Sequence, residues 1–100
     1  MLLDTQFKLR ENGRPINLKE AAKWRRCIES YLESNNPKNP EIDGHGVEKI
    51  SDEVVHELYG KLVEKFSPEV IRKRVDLYKC DSLKEQFERV LQKAFEDKKT

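Results

Sequence analysis

The side chains capable of chemistry are few and widely spaced. Cys27, His45, His56 and Cys80 are the only cysteines and histidines, spread over more than fifty positions. Zinc takes clustered Cys and His ligands, usually in closely spaced pairs, so only the fold could assemble a site from these four, and no metal is expected. Asp43-Gly44-His45-Gly46 invites a calcium-loop reading. With Gly44 at the sixth position, Asn39, Glu41 and Asp43 fall at positions one, three and five, but Ile50 occupies position twelve, where a bidentate carboxylate is required. Nucleophilic catalysis would need Cys27 or Cys80 beside His45 or His56, with a third group to orient the base. No glycine-rich phosphate loop, nucleophile elbow or paired-histidine metalloprotease motif occurs. The expectation is a protein that is not an enzyme and has no cofactor, with both cysteines reduced and packed as small apolar groups.

Basic and aromatic side chains carry more. Ser67-Pro68 marks a tight join between two helices, and the helix that follows carries Arg72, Lys73, Arg74 and Lys79, as in a helix-turn-helix element lying against phosphates. Residues 68–80 hold four basic and two acidic side chains, and the preceding helix is net negative, so this nucleic-acid reading stands second. Another cluster, Lys23, Arg25 and Arg26, is diluted by Glu20, Glu29 and Glu33. Trp24, Tyr31, Tyr59 and Tyr78 are the side chains best suited to a protein interface, where aromatics are enriched, although each fits a core position equally well.

The elements that must position these groups come from a chain of 100 residues, the size of one ordinary domain. Charged residues make up 39% of it, well above the roughly 25% typical of globular domains, and apolar residues 36%. A thin core is therefore expected. Twenty basic and nineteen acidic side chains leave a net charge of +1, against both wholesale disorder and coating of nucleic acid or anionic membrane. No apolar run approaches the length of a membrane span, and Met1-Leu2-Leu3 runs directly into Asp4, so an intracellular protein, in cytoplasm or nucleus, is expected.

Residues 1–16 read as an N-terminal arm or hairpin. Phe7, Leu9, Ile16 and Leu18 alternate with polar residues around Asn12-Gly13, a two-residue hairpin turn, while Pro15 weakens the second strand. From Asn17 a capping box with Glu20 starts a helix whose apolar stripe is Ala21, Trp24, Ile28 and Tyr31, ending near Asn35-Asn36-Pro37. Residues 36–46 hold two prolines and two glycines and read as a loop. Ser51 caps a helix expected to run to Phe66, with Val55, Leu58, Tyr59, Leu62 and Val63 on one face. Another is expected over Pro68 to Lys79, burying Ile71, Val75 and Tyr78. The last, capped by Asp81 or Ser82, has the cleanest stripe: Leu83, Phe87, Val90, Leu91, Ala94 and Phe95.

Amphipathic helices bury their stripes on one another, so the expected fold is all-α, one domain over 1–100 built as a compact bundle of four to five helices with room for a short N-terminal hairpin. Leu9-Arg10-Glu11-Asn12-Gly13-Arg14 and Asp81-Ser82-Leu83-Lys84 resemble segments of the enhancer of yellow family of small helical adaptors. The middle of the chain departs from that pattern, and the functional expectation rests on the residues alone. That expectation is a small protein-interaction module, an adaptor or regulatory subunit that binds a partner chain or itself.

Overall fold

The computed structural model describes residues 6–34 and 37–99. Its strands are β1 (Gln6–Lys8), β2 (Arg10–Glu11), β3 (Arg14–Pro15), β4 (Glu41–Asp43) and β5 (Asp76–Tyr78). The helices are α1 (Leu18–Glu33), α2 (Asp52–Leu58), α3 (Pro68–Arg74) and α4 (Lys84–Lys99), with a 3-10 segment at Gly60–Glu64. The first five residues of the expected arm, and Asn35 and Asn36 of the expected helix stop, lie outside the described residues.

The all-α expectation is wrong. β1, β4 and β5 form a parallel sheet in that order, with Phe7 opposite Ile42 and Ile42 opposite Leu77, and β2 pairs antiparallel with β3. The loop expected over 36–46 contains the central strand, in which Ile42 is fully buried. The helix expected over Pro68 to Lys79 stops at Arg74. Val75 turns extended, and the Asp76 amide donates to the Pro40 carbonyl at 2.9 Å. Three residues with a single inward apolar side chain are too short to show alternation, so pairing with a distant strand overrides the local pattern.

The starts of α1, α2 and α3 follow the local signals, whereas α4 begins at Lys84, past the expected cap at Asp81 or Ser82. Asn17 Oδ1 accepts from the Glu20 amide at 2.8 Å while Glu20 Oε1 accepts from the Asn17 amide at 2.9 Å, closing the capping box. Ser51 and Ser67 cap α2 and α3, and Pro68 occupies the first turn of α3. The helix expected from Ser51 to Phe66 instead breaks after Leu58. At Gly60 a Cβ would fall 2.8 Å from His56 Nδ1 and 3.2 Å from Val90 Cγ1, and the 3-10 segment that starts there packs closely under α4.

α1 lies on the face of the sheet that carries Phe7. Rings of Trp24 and Tyr31 stand 5.5 and 6.4 Å from the Phe7 ring. Ile28, Val55, Leu58, Leu62, Ile71, Leu83, Phe87 and Leu91 complete one continuous core, and no polar or charged side chain among the described residues is buried in it. On α4, Phe87, Val90, Leu91 and Ala94 are buried as the stripe predicts, whereas Phe95 is half-buried and lies under the Lys99 ammonium.

Candidate functional site

Side chains alternate along a strand, so the face of the sheet opposite Phe7, Ile42 and Leu77 carries the remaining strand residues. Register sets them in two rows, Gln6–Glu41–Asp76 and Lys8–Asp43–Tyr78. Gln6 Nε2 donates to Glu41 Oε1 at 2.8 Å. Gln6, Lys8, Asp76 and Tyr78 are exposed, and Glu41 and Asp43 half-buried. Parallel sheets are nearly always covered on both faces, because their crossover helices pack there. Here, among the described residues, one face is left open, with a tyrosine 42% exposed at its edge.

The three parallel strands finish at a common end, where open α/β sheets bind their ligands. The segments that follow them interlock there. The Leu9 amide donates to the Asp43 carbonyl at 2.9 Å and the Gly44 amide to the Tyr78 carbonyl at 2.8 Å. A Cβ on Gly44 would fall 2.8 Å from Cys80 Sγ and 3.0 Å from the Lys79 carbonyl oxygen, so the two loops touch only because residue 44 has no side chain. His45 donates its amide to Asp43 Oδ1 at 2.9 Å, an Asx turn. All four left-handed residues among the described ones lie at this end: Asn12 and Gly13, which form the hairpin turn, then Gly46 and Lys79. Lys79, at φ 51°, holds a conformation that costs a side chain of its size about 1 kcal/mol or more.

Among the described residues, cations without a carboxylate partner occur at this end as they do elsewhere on the surface, at Lys19, Lys23, Arg26, Lys73 and Lys93. Arg14, Arg25, Lys61, Lys65, Arg72, Lys84 and Arg89 each face a carboxylate. Lys8, Arg10 and Lys49 have no carboxylate partner among the described residues, and Lys79 lies over the Tyr78 ring at 5.4 Å. Cys80 is fully buried, and loss of solvent pushes its thiol up to about 11, so it is a protonated, inert group at neutral pH.

The residues singled out in the sequence scatter over the fold. Tyr31 and Tyr59 are buried, and burial pushes the Tyr59 hydroxyl up to about 12. Trp24 is half-buried and spends its indole N–H on the Lys8 carbonyl at 3.2 Å, wrapping the β1 edge. Only Tyr78 of the four is exposed. On α3, Arg72 is engaged by Glu88 and Gln92, and Arg74 donates to Asn39 Oδ1 at 3.0 Å, so these two guanidiniums are turned to neighbouring segments. Lys73 is exposed on the same helix, and Lys79 falls beyond it. Among the described residues no group of three or more Cys, His, Asp or Glu converges as metal ligands would.

The groove between α2 and α4, whose lining includes Leu18, His56, Lys61, Val90 and Ala94, carries the ion pairs Asp52–Arg89 and Glu57–Lys61. At the sheet end Lys8 stood in no motif, and Arg10 stood only in Leu9-Arg10-Glu11-Asn12-Gly13-Arg14, which assigned it no role. The signals on the page were Asn12-Gly13 and the Gly44-His45-Gly46 spacing, which mark tight backbone, not charge. Neither the family models, nor the curated proteins, nor the solved structures contain a match to this chain.

Proposed function

We propose that the chain is a protein-interaction module, an adaptor or regulatory subunit, whose contact surface is the open face of its parallel sheet and whose partner is a cationic segment of another protein. The uncovered face carries the proposal, because a three-stranded parallel sheet exposed on one side is a layer short of the usual arrangement. Tyr78 supplies the large amphipathic side chain that anchors such contacts.

Charge argues for the kind of partner. Glu41, Asp43 and Asp76 set three carboxylates against the ammoniums of Lys8 and of Lys79, which lies over the Tyr78 ring, an acidic excess that attracts lysine and arginine. A nucleic-acid role centred on Arg72, Lys73, Arg74 and Lys79 has less support, since Arg72 and Arg74 are engaged within the chain.

Selection of peptides from a random library on the immobilised chain tests the reading. Lys- and Arg-rich peptides are expected, with amide shifts at Gln6, Lys8, Glu41, Asp43 and Tyr78, and with binding lost in a Glu41→Lys, Tyr78→Ser variant that keeps its circular dichroism. Peptides that bind this variant as well as wild type would overturn the assignment.

A further inference from the structure

Beside the open face, at the carboxyl ends of β1 and β4, lies a concavity of about 300 Å³ lined by Lys8, Arg10, Gly13, Asp43 and His45. We propose that it binds a phosphate group, and that it takes the form still carrying a proton. The concavity shares Lys8 and Asp43 with the open face, but the proposal rests on the loops at the strand ends, and Arg10, which lies outside the sheet rows, separates its test from that of the protein-binding reading.

Lys8 and Arg10 come from adjoining segments of the chain and have no carboxylate partner among the described residues. A guanidinium offers a planar fork that matches two oxygens of a tetrahedral anion, and the ammonium adds a compact charge beside it. The arginine passes close over Gly46. A Cβ on residue 46 would fall 2.7 Å from Arg10 Nη1 and 3.5 Å from Arg10 Cδ, so the side chain lies across the backbone of Gly46, which itself sits at φ +79°. Any other residue at position 46 would displace it. The hairpin turn at Asn12-Gly13 brings Gly13 to the wall, where a side chain would otherwise narrow the mouth.

Among the described residues Asp43 is the only carboxylate lining this concavity, and its Oδ1 accepts from the His45 amide. Next to a fully ionised anion it is repulsive. Next to inorganic phosphate, whose monoanion keeps two P–O–H hydrogens and whose dianion keeps one, or a singly ionised phosphate monoester, which keeps one, it accepts such a hydrogen, turning repulsion into a charge-assisted hydrogen bond. Sulfate has no such hydrogen at neutral pH. The same carboxylate that weakens sulfate therefore favours phosphate, and the site is selective by hydrogen-bond donation as well as by charge.

The test is a titration of the isotopically labelled chain in a low-salt, phosphate-free buffer, followed by amide shifts, with inorganic phosphate, sulfate and a sugar phosphate as separate arms. Shifts confined to Lys8, Arg10, Gly13, His45 and Gly46 are expected, with phosphate binding at least severalfold tighter than sulfate. Arg10→Ala should weaken phosphate by about tenfold or more, the usual weight of a charged hydrogen-bonding group. Asp43→Asn keeps an oxygen for the His45 amide and should abolish the preference over sulfate. A sugar phosphate tighter than free phosphate identifies an ester as the ligand, and the reverse identifies the free ion. Equal phosphate and sulfate affinities in wild type, shifts spread over the lysines of the whole surface, or an unchanged Arg10→Ala variant with intact circular dichroism would each overturn the proposal.

Discussion

Gly44 and Glu20 show how single atoms hold this fold together. At Gly44 a methyl group would meet Cys80 Sγ and the Lys79 carbonyl within 3.0 Å, and neither is the free end of a flexible side chain. Gly44→Ala is expected to cost about 1–3 kcal/mol in denaturant unfolding, as overpacking does, and Cys80→Ala in the same background should recover part of that by removing the sulfur. Identical costs in both backgrounds would mean that the sulfur is not what the methyl meets. Glu20 is a charge effect. The Asn17 amide and the Arg14 guanidinium hold its carboxyl down to about 2, below its ordinary 4.5, while a hydrogen bond to Glu20 raises Glu11. A depressed carboxyl adds stability above its unfolded value and loses it as pH falls toward the folded one. The link between hairpin and α1 should therefore weaken from about pH 4.5 down to 2. Glu20→Gln should remove that share of the acid sensitivity, read from thermal midpoints across this range. An equally steep pH dependence in the variant would show that Glu20 does not carry it.

At the scale of elements, what could be read from the sequence was what local chemistry decides. Asn17 with Glu20, Ser51, and Ser67 with Pro68 each start a helix where the pattern says, because a cap depends on residues one turn apart. The four turns of α4 repeat their apolar spacing often enough to be unmistakable. Phe87, fully buried with its ring 5.2 Å from Tyr59, should cost about 3–5 kcal/mol as Phe87→Ala. Half-buried Phe95 should cost clearly less, and similar losses at both positions in urea unfolding would contradict the burial found here. The strands were opaque for the opposite reason. Ile42 is a single apolar residue between two carboxylates, and Leu77 sits in a segment whose apolar spacing continues that of α3, so nothing within either segment announces a strand. Their pairing is set by residues more than thirty positions away. The site inherited that opacity. Tyr78 was recognised as an interface type, but its neighbours Lys8 and Asp43 follow only from the parallel register. The hairpin lay between these cases, legible from Asn12-Gly13 yet with strands of only two residues.

The charge of the whole molecule is nearly balanced, yet its sheet face is acidic and its sheet end carries unpaired cations, and this division bears on whether the chain binds itself. In a two-fold pairing of open face on open face whose axis passes over the middle of the sheet, the central strand lies over its own copy. With the axis along the strands, Glu41 meets Glu41 and Asp43 meets Asp43; with the axis across them, Glu41 meets Asp43. Either way four carboxylates crowd the middle of the interface, and like charges brought together there cost several kcal/mol. Tyr78 lies on an edge strand and cannot compensate at the centre. Self-association through this face is thus disfavoured by the same residues that attract a cationic partner. We expect sedimentation equilibrium to give a monomer from micromolar to sub-millimolar protein at low salt. The Glu41→Gln, Asp43→Asn variant, which removes the repulsion and leaves Tyr78 in place, is where a dimer should emerge first. A wild-type dimer that Tyr78→Asp dissolves would show instead that the open face is covered by a second copy of this chain.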